Sequence, residues 1–220
     1  MFKIEEPLKI RAPISKGTGR ASLSGFIREH NMNHETAGVT LGHNSLRVEV
    51  VKNMDQLIQI FALRAICFME DTGLPYDHAF DGNDLQATHI VGYDGIEPIG
   101  TMRVRWFKDF AKIERTAFRK SHRNIPNIKV VANFTFTHIA RKGYPLAITH
   151  ASPIFARLWR MHFGFKPVPG KPPVEYHGEK YQELMRPLDV PGNAIALGTD
   201  AAVMFRTEGE WDVPAKYETR

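Results

Sequence analysis

Two carboxylates three residues apart, Asp81 and Asp84, flank Asn83 in a short polar segment, with Arg64 upstream and Arg103 downstream. An acidic pair of this kind can hold a cationic amine, fix neighbouring guanidinium groups in place, or lend oxygens to Ca²⁺. Two Asp fall well short of a calcium ligand set, and solvated loop charge is the plain alternative. Arg64 sits mid-helix beside apolar neighbours, where a buried or cleft role competes with a helix-surface one. Glu114-Arg115 adds a further acidic-basic pair, in which Glu114 is a candidate proton acceptor or the ion-pair partner of Arg115 or Arg103. Ten histidines invite a metal reading. Yet His30 and His34 are four apart, His138 and His150 stand separately, and no His-Glu-x-x-His or Cys/His cluster occurs, so no metal is expected. Cys67 is the one cysteine, which excludes an intramolecular disulfide and a Cys-based zinc cluster.

These side chains need elements to position them. Residues 46–51 alternate as a strand does. Asn53 then caps a helix whose apolar positions Leu57, Ile58, Phe61, Ile66 and Met69 form one stripe, so Arg64 rides on a helix that ends at Gly73 and Pro75. The acidic pair falls in the polar stretch 76–86. Two β-type runs, 88–93 and 98–106, surround Asp94-Gly95 and predict a hairpin with Arg103 on its second strand. Glu114 lies on a third strand, 112–118. Residues 128–141 have the β-branched content of a strand but the length of a helix, and the closing Gly143 favours the helix. A strand over 144–149 follows, then a helix from Ser152-Pro153 to Gly164. After a Pro-rich loop, 166–173, segments 174–176 and 180–185 flank His177-Gly178 as a last hairpin. Residues 1–44 form an N-terminal extension with one short helix near 23–29, and 190–220 a turn-rich C-terminal extension, leaving a domain over 45–189. The expected architecture is α/β, a mixed sheet flanked by helices on both faces.

Composition excludes little: 43% hydrophobic and 24% charged residues are ordinary for a globular chain. No apolar run of about 18 residues is present, so no membrane span is expected. The N-terminus lacks an apolar h-region, and a reducing cytoplasm is the expected compartment. A net charge of +5 suits nucleic acid, anionic lipid, the phosphates of a coenzyme or an acidic carrier protein, or serves only solubility. Nucleic acid ranks last, because the charge is scattered and no basic helix stands out.

The element order over about residues 46–188 resembles the GNAT superfamily of acyltransferases, whose sheet is mixed and mostly antiparallel. The hairpin 90–105 is similar to that family's second and third strands, with Pro98-Ile99-Gly100-Thr101-Met102-Arg103 in a common form. The run Ala156–Phe165 resembles its last helix entering a Gly-Phe strand. A narrower pattern, Arg64-x-x-x-Phe68, Asp81-x-x-Asp84 and Gly100-x-x-Arg103, is similar to that of acyl-homoserine lactone synthases and N-acyl amino acid synthases. The resemblance implies that Arg64, Phe68, Asp81, Asp84 and Arg103 shape the acceptor and catalytic cleft, with Trp159 of the last helix a further substrate contact. Glu114-Arg115 is similar in place to an acidic-basic pair on the next strand, at a different spacing.

The reaction so implied moves an acyl group from acyl-CoA or an acyl carrier protein to the amine of a small molecule or amino acid, without a metal. It needs a base for the acceptor ammonium and donors for an oxyanion. Glu114 is the first candidate base, in a catalytic set with Arg103 and Asp84. Two departures from the family pattern bear on the donor. The stretch Phe118, Arg119, Lys120, Ser121, His122, Arg123 stands where the family carries a glycine-containing phosphate loop, and it has no glycine. Charge is kept and close backbone approach is not, which moves the expectation toward a carrier-protein donor or a remodelled loop. Arg160 stands where many members place an acidic Tyr, so the leaving thiolate would take its proton from water. A non-catalytic module binding an acyl carrier, lipid or partner protein is the competing reading. Phe134, Phe136, Phe155, Trp159, Phe163 and Phe165 read as core more than as an acyl pocket. The two extensions either pack on the domain or clasp a second copy in a homodimer.

Overall fold

The computed structural model describes residues 46–176, 178–215 and 218. The expected hairpin forms at Asp94-Gly95, where Gly95 takes the positive φ (59°) that the turn requires. It joins β2 (Thr88–Asp94) to β3 (Glu97–Trp106). β1 (Arg47–Val50) and β4 (Ala111–Phe118) flank this pair, and β5 (Leu146–Ala151) follows β4. β6 (Lys166–Pro167), β7 (Val174–Tyr176) and β8 (Glu179–Pro187) complete the sheet, in the order β1-β2-β3-β4-β5-β8-β6 with β7 on β8. Every pairing is antiparallel except β4 with β5.

Helix α1 (Met54–Arg64) starts as expected, with the Asn53 side chain accepting the Gln56 N–H at 2.9 Å. It stops earlier than the stripe suggested. From Ala65 to Glu70 the chain widens into a π-turn, in which the Asp71 N–H reaches the Ile66 carbonyl at 2.9 Å. The polar stretch after Pro75 contains a short helix, α2 (Tyr76–Ala79). The ambiguous run is a helix, α3 (Ile125–Arg141), capped by Asn124 and opened by Pro126. Tertiary packing overrides its β-branched content: Ile128, Val131, Ala132, Thr135, Phe136 and Ile139 are buried at helical spacing, and Thr135 turns its hydroxyl onto the Val131 carbonyl at 2.8 Å. Helix α4 (Pro153–Phe163) ends on Gly164 in the left-handed region. The Pro-rich loop holds β6 at its start, and the tail holds α5 (Ala201–Met204). The short helix expected near 23–29 lies outside the described residues.

Strand alternation divides the sheet into unlike faces. Ile90, Met102, Val104, Ala111, Ile113, Ala147, Ala151 and Leu184 join α3 and α4 in one apolar core, where Phe136, Trp159, Phe163 and Phe165 meet edge to face or tilted. On the opposite face α1 sets Ile60 on Val91 and Tyr93, and Leu63 of α1 with Cys67 of the π-turn packs on Ala117. That face also carries the polar residues His89, Arg103 and Glu114, directly opposite one another on β2, β3 and β4. Among the described residues no helix is long and apolar enough to cross a membrane.

The described part of the C-terminal extension packs back on the domain. The Ile195 N–H bonds the Arg141 carbonyl at 2.8 Å, and Trp211 stacks on His138 with ring centroids 5.3 Å apart. Glu208 meets His138 Nε2 at 3.1 Å and accepts from Lys142 (3.0 Å) and Thr88 (3.1 Å). Gly209 has no substitute here, since its φ is +87° and a Cβ would lie 2.6 Å from Val50. His138, burial acting against it, and Lys142 together set the Glu208 carboxyl at about 2. A depressed carboxyl stabilises the fold above its unfolded pKa of about 4.3 and loses that contribution as pH falls toward the folded value. With 41% of its side chain exposed, solvent screening reduces the contribution to about 1 kcal/mol. Glu208→Gln should therefore lower unfolding stability by about 1 kcal/mol at neutral pH, with the difference from the parent closing below about pH 3 in urea titrations.

Candidate active site

The charged residues singled out in the sequence converge on the α1/α2 face. Arg64, the last residue of α1, is 1% exposed and donates to Asp84 at 2.6 Å and to the Ala79 carbonyl at the end of α2. Arg103 on β3, also 1% exposed, donates to both oxygens of Asp81 at 2.7 Å, to Asp84 at 2.9 Å and to Glu114 through Nε at 3.1 Å. Arg115 reaches Asp81 at 2.8 Å, and Lys112 reaches Glu114 at 2.7 Å. His89 Nε2 lies 2.9 Å from the Asp84 carbonyl oxygen, tying β2 to the same loop. The Asp81 turn is held locally by the Asn83 N–H at 3.2 Å, with Gly82 at positive φ.

The electrostatics follow from this pairing. Hydrogen bonds from Arg103 hold the Asp81 carboxyl well below the ordinary carboxylate range, against a smaller opposing effect of burial. Burial alone would raise Asp84, but Arg64 and Arg103 outweigh it and lower its pKa. Glu114 behaves alike: burial pushes it up, and Lys112 with Arg103 brings it below its usual value. Burial lowers His89.

Beside this network the sheet opens. β4 and β5 pair only at Ala111↔Ala147 and Lys112↔Ile148. From Ile113 onward no strand among the described residues pairs with the β5-facing edge of β4, which leaves its N–H groups on that side outside the sheet ladder. On the other edge the register with β3 slips between Thr101 and Arg103, placing two residues of β4 against Met102. Arg115, the first of the two, has φ +48°, a conformation uncommon outside glycine. Lys112 and Glu114 thus border the opening from β4, while Ile148 and His150 border it from β5 on the same face. His150 was not among the expected site residues. Its Nδ1 is buried without a hydrogen-bond partner, its Nε2 lies 3.6 Å from Glu183 Oε2 on β8, and burial lowers its pKa.

The other expected residues fall in different places. Phe68 is half-buried on the cluster of Leu63, Cys67 and Ala117. Trp159 is 4% exposed within the aromatic core, away from the charged network. Phe118 is buried, and its ring explains the glycine of the Gly100-x-x-Arg103 pattern, since a Cβ on Gly100 would stand 2.2 Å from it. The basic stretch after β4 forms a single 3₁₀ turn, Lys120–His122, ahead of α3. Arg119 is fixed to Glu97 and the Pro98 carbonyl, each at 3.0 Å. Ser121 sits 2.9 Å from His122 Nδ1, and His122 Nε2 lies 3.3 Å from Asp94. Arg123 bonds Asp71 at 2.7 Å and the Phe118 carbonyl at 3.0 Å. Lys120 is exposed. The sequence carries a further charge signal: between Glu114 and Glu175 the chain has no Asp or Glu but eleven Lys and Arg. That stretch builds α3, β5 and α4.

The fold of this domain is the GNAT fold. A proposed N-acetyltransferase from Lactobacillus plantarum superposes with a TM-score of 0.61 at 20% identity, covering 66% of this chain and 99% of that one. FeeM, an N-acyl amino acid synthase from uncultured soil microbes, superposes with a TM-score of 0.54 at 13% identity, covering 74% and 99%. In sequence, the chain is 33% identical over 79 residues to the uncharacterized N-acetyltransferase YjcF of Bacillus subtilis (strain 168), 36% of this chain and 56% of that protein. The chain therefore spans little more than half the length of this curated relative. No family model matches it.

Removing one partner from a buried charge network leaves the others uncompensated. Asp84→Asn should cost about 3 kcal/mol in chemical denaturation, because both guanidinium groups it serves are buried. Asp81→Asn, at a more exposed carboxylate, should cost about half as much.

Proposed function

We propose that the chain is an N-acyltransferase that moves an acyl group from an acyl-CoA or acyl carrier protein thioester to the amine of a small molecule or amino acid. The observation that carries this reading is the opening between β4 and β5, with unpaired strand-edge N–H groups on one side and ionisable side chains on the other. A thioester carbonyl laid against that edge would find fixed donors for its tetrahedral oxyanion, the largest single term in acyl transfer. Arg103, Asp84 and Glu114 form the wall of the cleft, with Lys112 held at its margin by Glu114 and Arg115 by Asp81. The acid-free stretch supports a polyanionic donor, whether coenzyme phosphates or an acidic carrier. Pro126 in the first turn of α3 and the absence of glycine leave that recognition to side chains, Lys120 first among them. The description of FeeM as an N-acyl amino acid synthase supports an amino acid acceptor, and that of YjcF as an N-acetyltransferase supports an acetyl donor.

Incubation with acyl-CoA and acyl carrier protein donors of graded length and a panel of amines should release free thiol only when donor and amine are both present. Absence of amine-dependent thiol release across the series would replace this reading with a binding module. Lys120→Glu should raise the KM for a CoA donor roughly fivefold, about 1 kcal/mol, with kcat unchanged.

A further inference from the structure

Glu114 is a weak base in this setting, because Lys112 and Arg103 hold it ionised. The opening has another ionisable pair. His150 lies two residues beyond Ile148, the last residue of β5 paired with β4, so its ring stands where the strands part. Glu183 is directly opposite it on β8. His150 Nδ1 is shielded and unpartnered, so exchange with substrate runs through Nε2, 3.6 Å from Glu183 Oε2. That separation is too long for a hydrogen bond and suits a donor bridging the two atoms. Glu183 already holds a primary ammonium: Lys171, from the loop before β7, lies 2.9 Å from both carboxylate oxygens, and its side chain is 56% exposed. A tethered, exposed amine on this carboxylate indicates the chemistry the position accepts.

Resting on the acyltransferase reading, we propose that Glu183 and His150 Nε2 form the acceptor subsite, which takes a protonated primary amine in place of Lys171, and that His150 is its general base. The neutral imidazole takes one proton from the ammonium. The freed nitrogen lone pair attacks the thioester carbonyl carbon, forming the C–N bond. Collapse of the tetrahedral oxyanion breaks the C–S bond, and the thiolate leaves with the electron pair. A second nitrogen proton goes to the thiolate through water, and His150 returns the first to solvent. The groups facing the ring are Lys112 and Glu114 from β4, Glu183 from β8 and Lys171 from the loop. Burial, then Lys112, favours the neutral ring, against Glu183. Activity is therefore expected to fall as pH drops through the imidazole pKa.

His150→Gln should lower kcat about 100-fold, leave the donor KM unchanged and remove the acidic limb of the pH profile. Glu183→Gln should raise the KM for the amine about tenfold, and Lys171→Ala, which frees the carboxylate, should lower it. A His150→Gln enzyme that keeps its acidic limb and a kcat within about threefold of the parent overturns the assignment. An assay without acyl transfer separates this idea from the reading it rests on. Titration of n-butylamine into the full chain should shift the His150 imidazole NMR signals saturably, and Glu183→Gln should abolish the shift. No shift in the parent protein sinks the subsite even if thiol is released. A shift without thiol release sustains the subsite and fails the acyltransferase reading and the base with it.

Discussion

Asp84 serves two guanidinium groups that are almost completely removed from water, and the geometry of the charged face follows from that demand. An Arg carries its charge at any physiological pH, so a buried one must find an anion. Arg64 takes Asp84 and the end of α2, while Arg103 takes Asp84, Asp81 and Glu114. Four segments are thereby locked together: the end of α1, the α2 turn with the loop behind it, β3 and β4. A hydrophobic replacement of similar volume could match this network in stability, so its value lies in position. The π-turn begins at Ala65, directly after Arg64, so the helix pitch changes next to the buried guanidinium.

With β4 fixed on one edge by this network, its other edge is left unpaired over most of its length among the described residues. A central strand with an unpaired edge is costly unless something covers it, and here the sheet reaches β5 after only two paired positions. The opening also separates two electrostatic environments. Asp81, Asp84, Glu114 and Glu183 lie on the α1/α2 face, whereas the segments building α3 and α4 hold no carboxylate. The net charge of +5 averages over this contrast. In the proposed reaction a cationic acceptor and a polyanionic donor would each be drawn to the side of opposite charge.

Much of this was legible locally. The Asp94-Gly95 hairpin, the Asn53 cap and the Pro153 and Gly164 ends of α4 are decided by residues within a few positions of each other, and all of them form. Arg64 among apolar neighbours and the Asp81/Asp84 pair were recognisable as partners because buried charge has few other solutions. What could not be read depends on long-range register. Nothing near β4 announces its bulge, since Arg115 takes a conformation that local chemistry would assign to glycine. His150 looked isolated because its partner, Glu183, becomes adjacent only when β8 returns antiparallel beside β5. Trp159 was read two ways, and its aromatic neighbours place it in the core.

The two bases at the opening illustrate how environment divides labour between residues of similar reach. Glu114 is surrounded by cations, which keep it charged and make it reluctant to accept a proton. His150 is partly buried with Lys112 nearby, and both lower its pKa and so favour the neutral ring. Lys112 acts on both at once: the same ammonium that lowers the basicity of Glu114 disfavours the imidazolium. Where neighbouring groups drive two titratable side chains to opposite charge states at one pH, one becomes a fixed electrostatic support and the other the proton carrier. Glu114 is the support, steadying Arg103 and Lys112. On the proposed assignment the proton work falls to His150, with Glu183 holding the amine that supplies it.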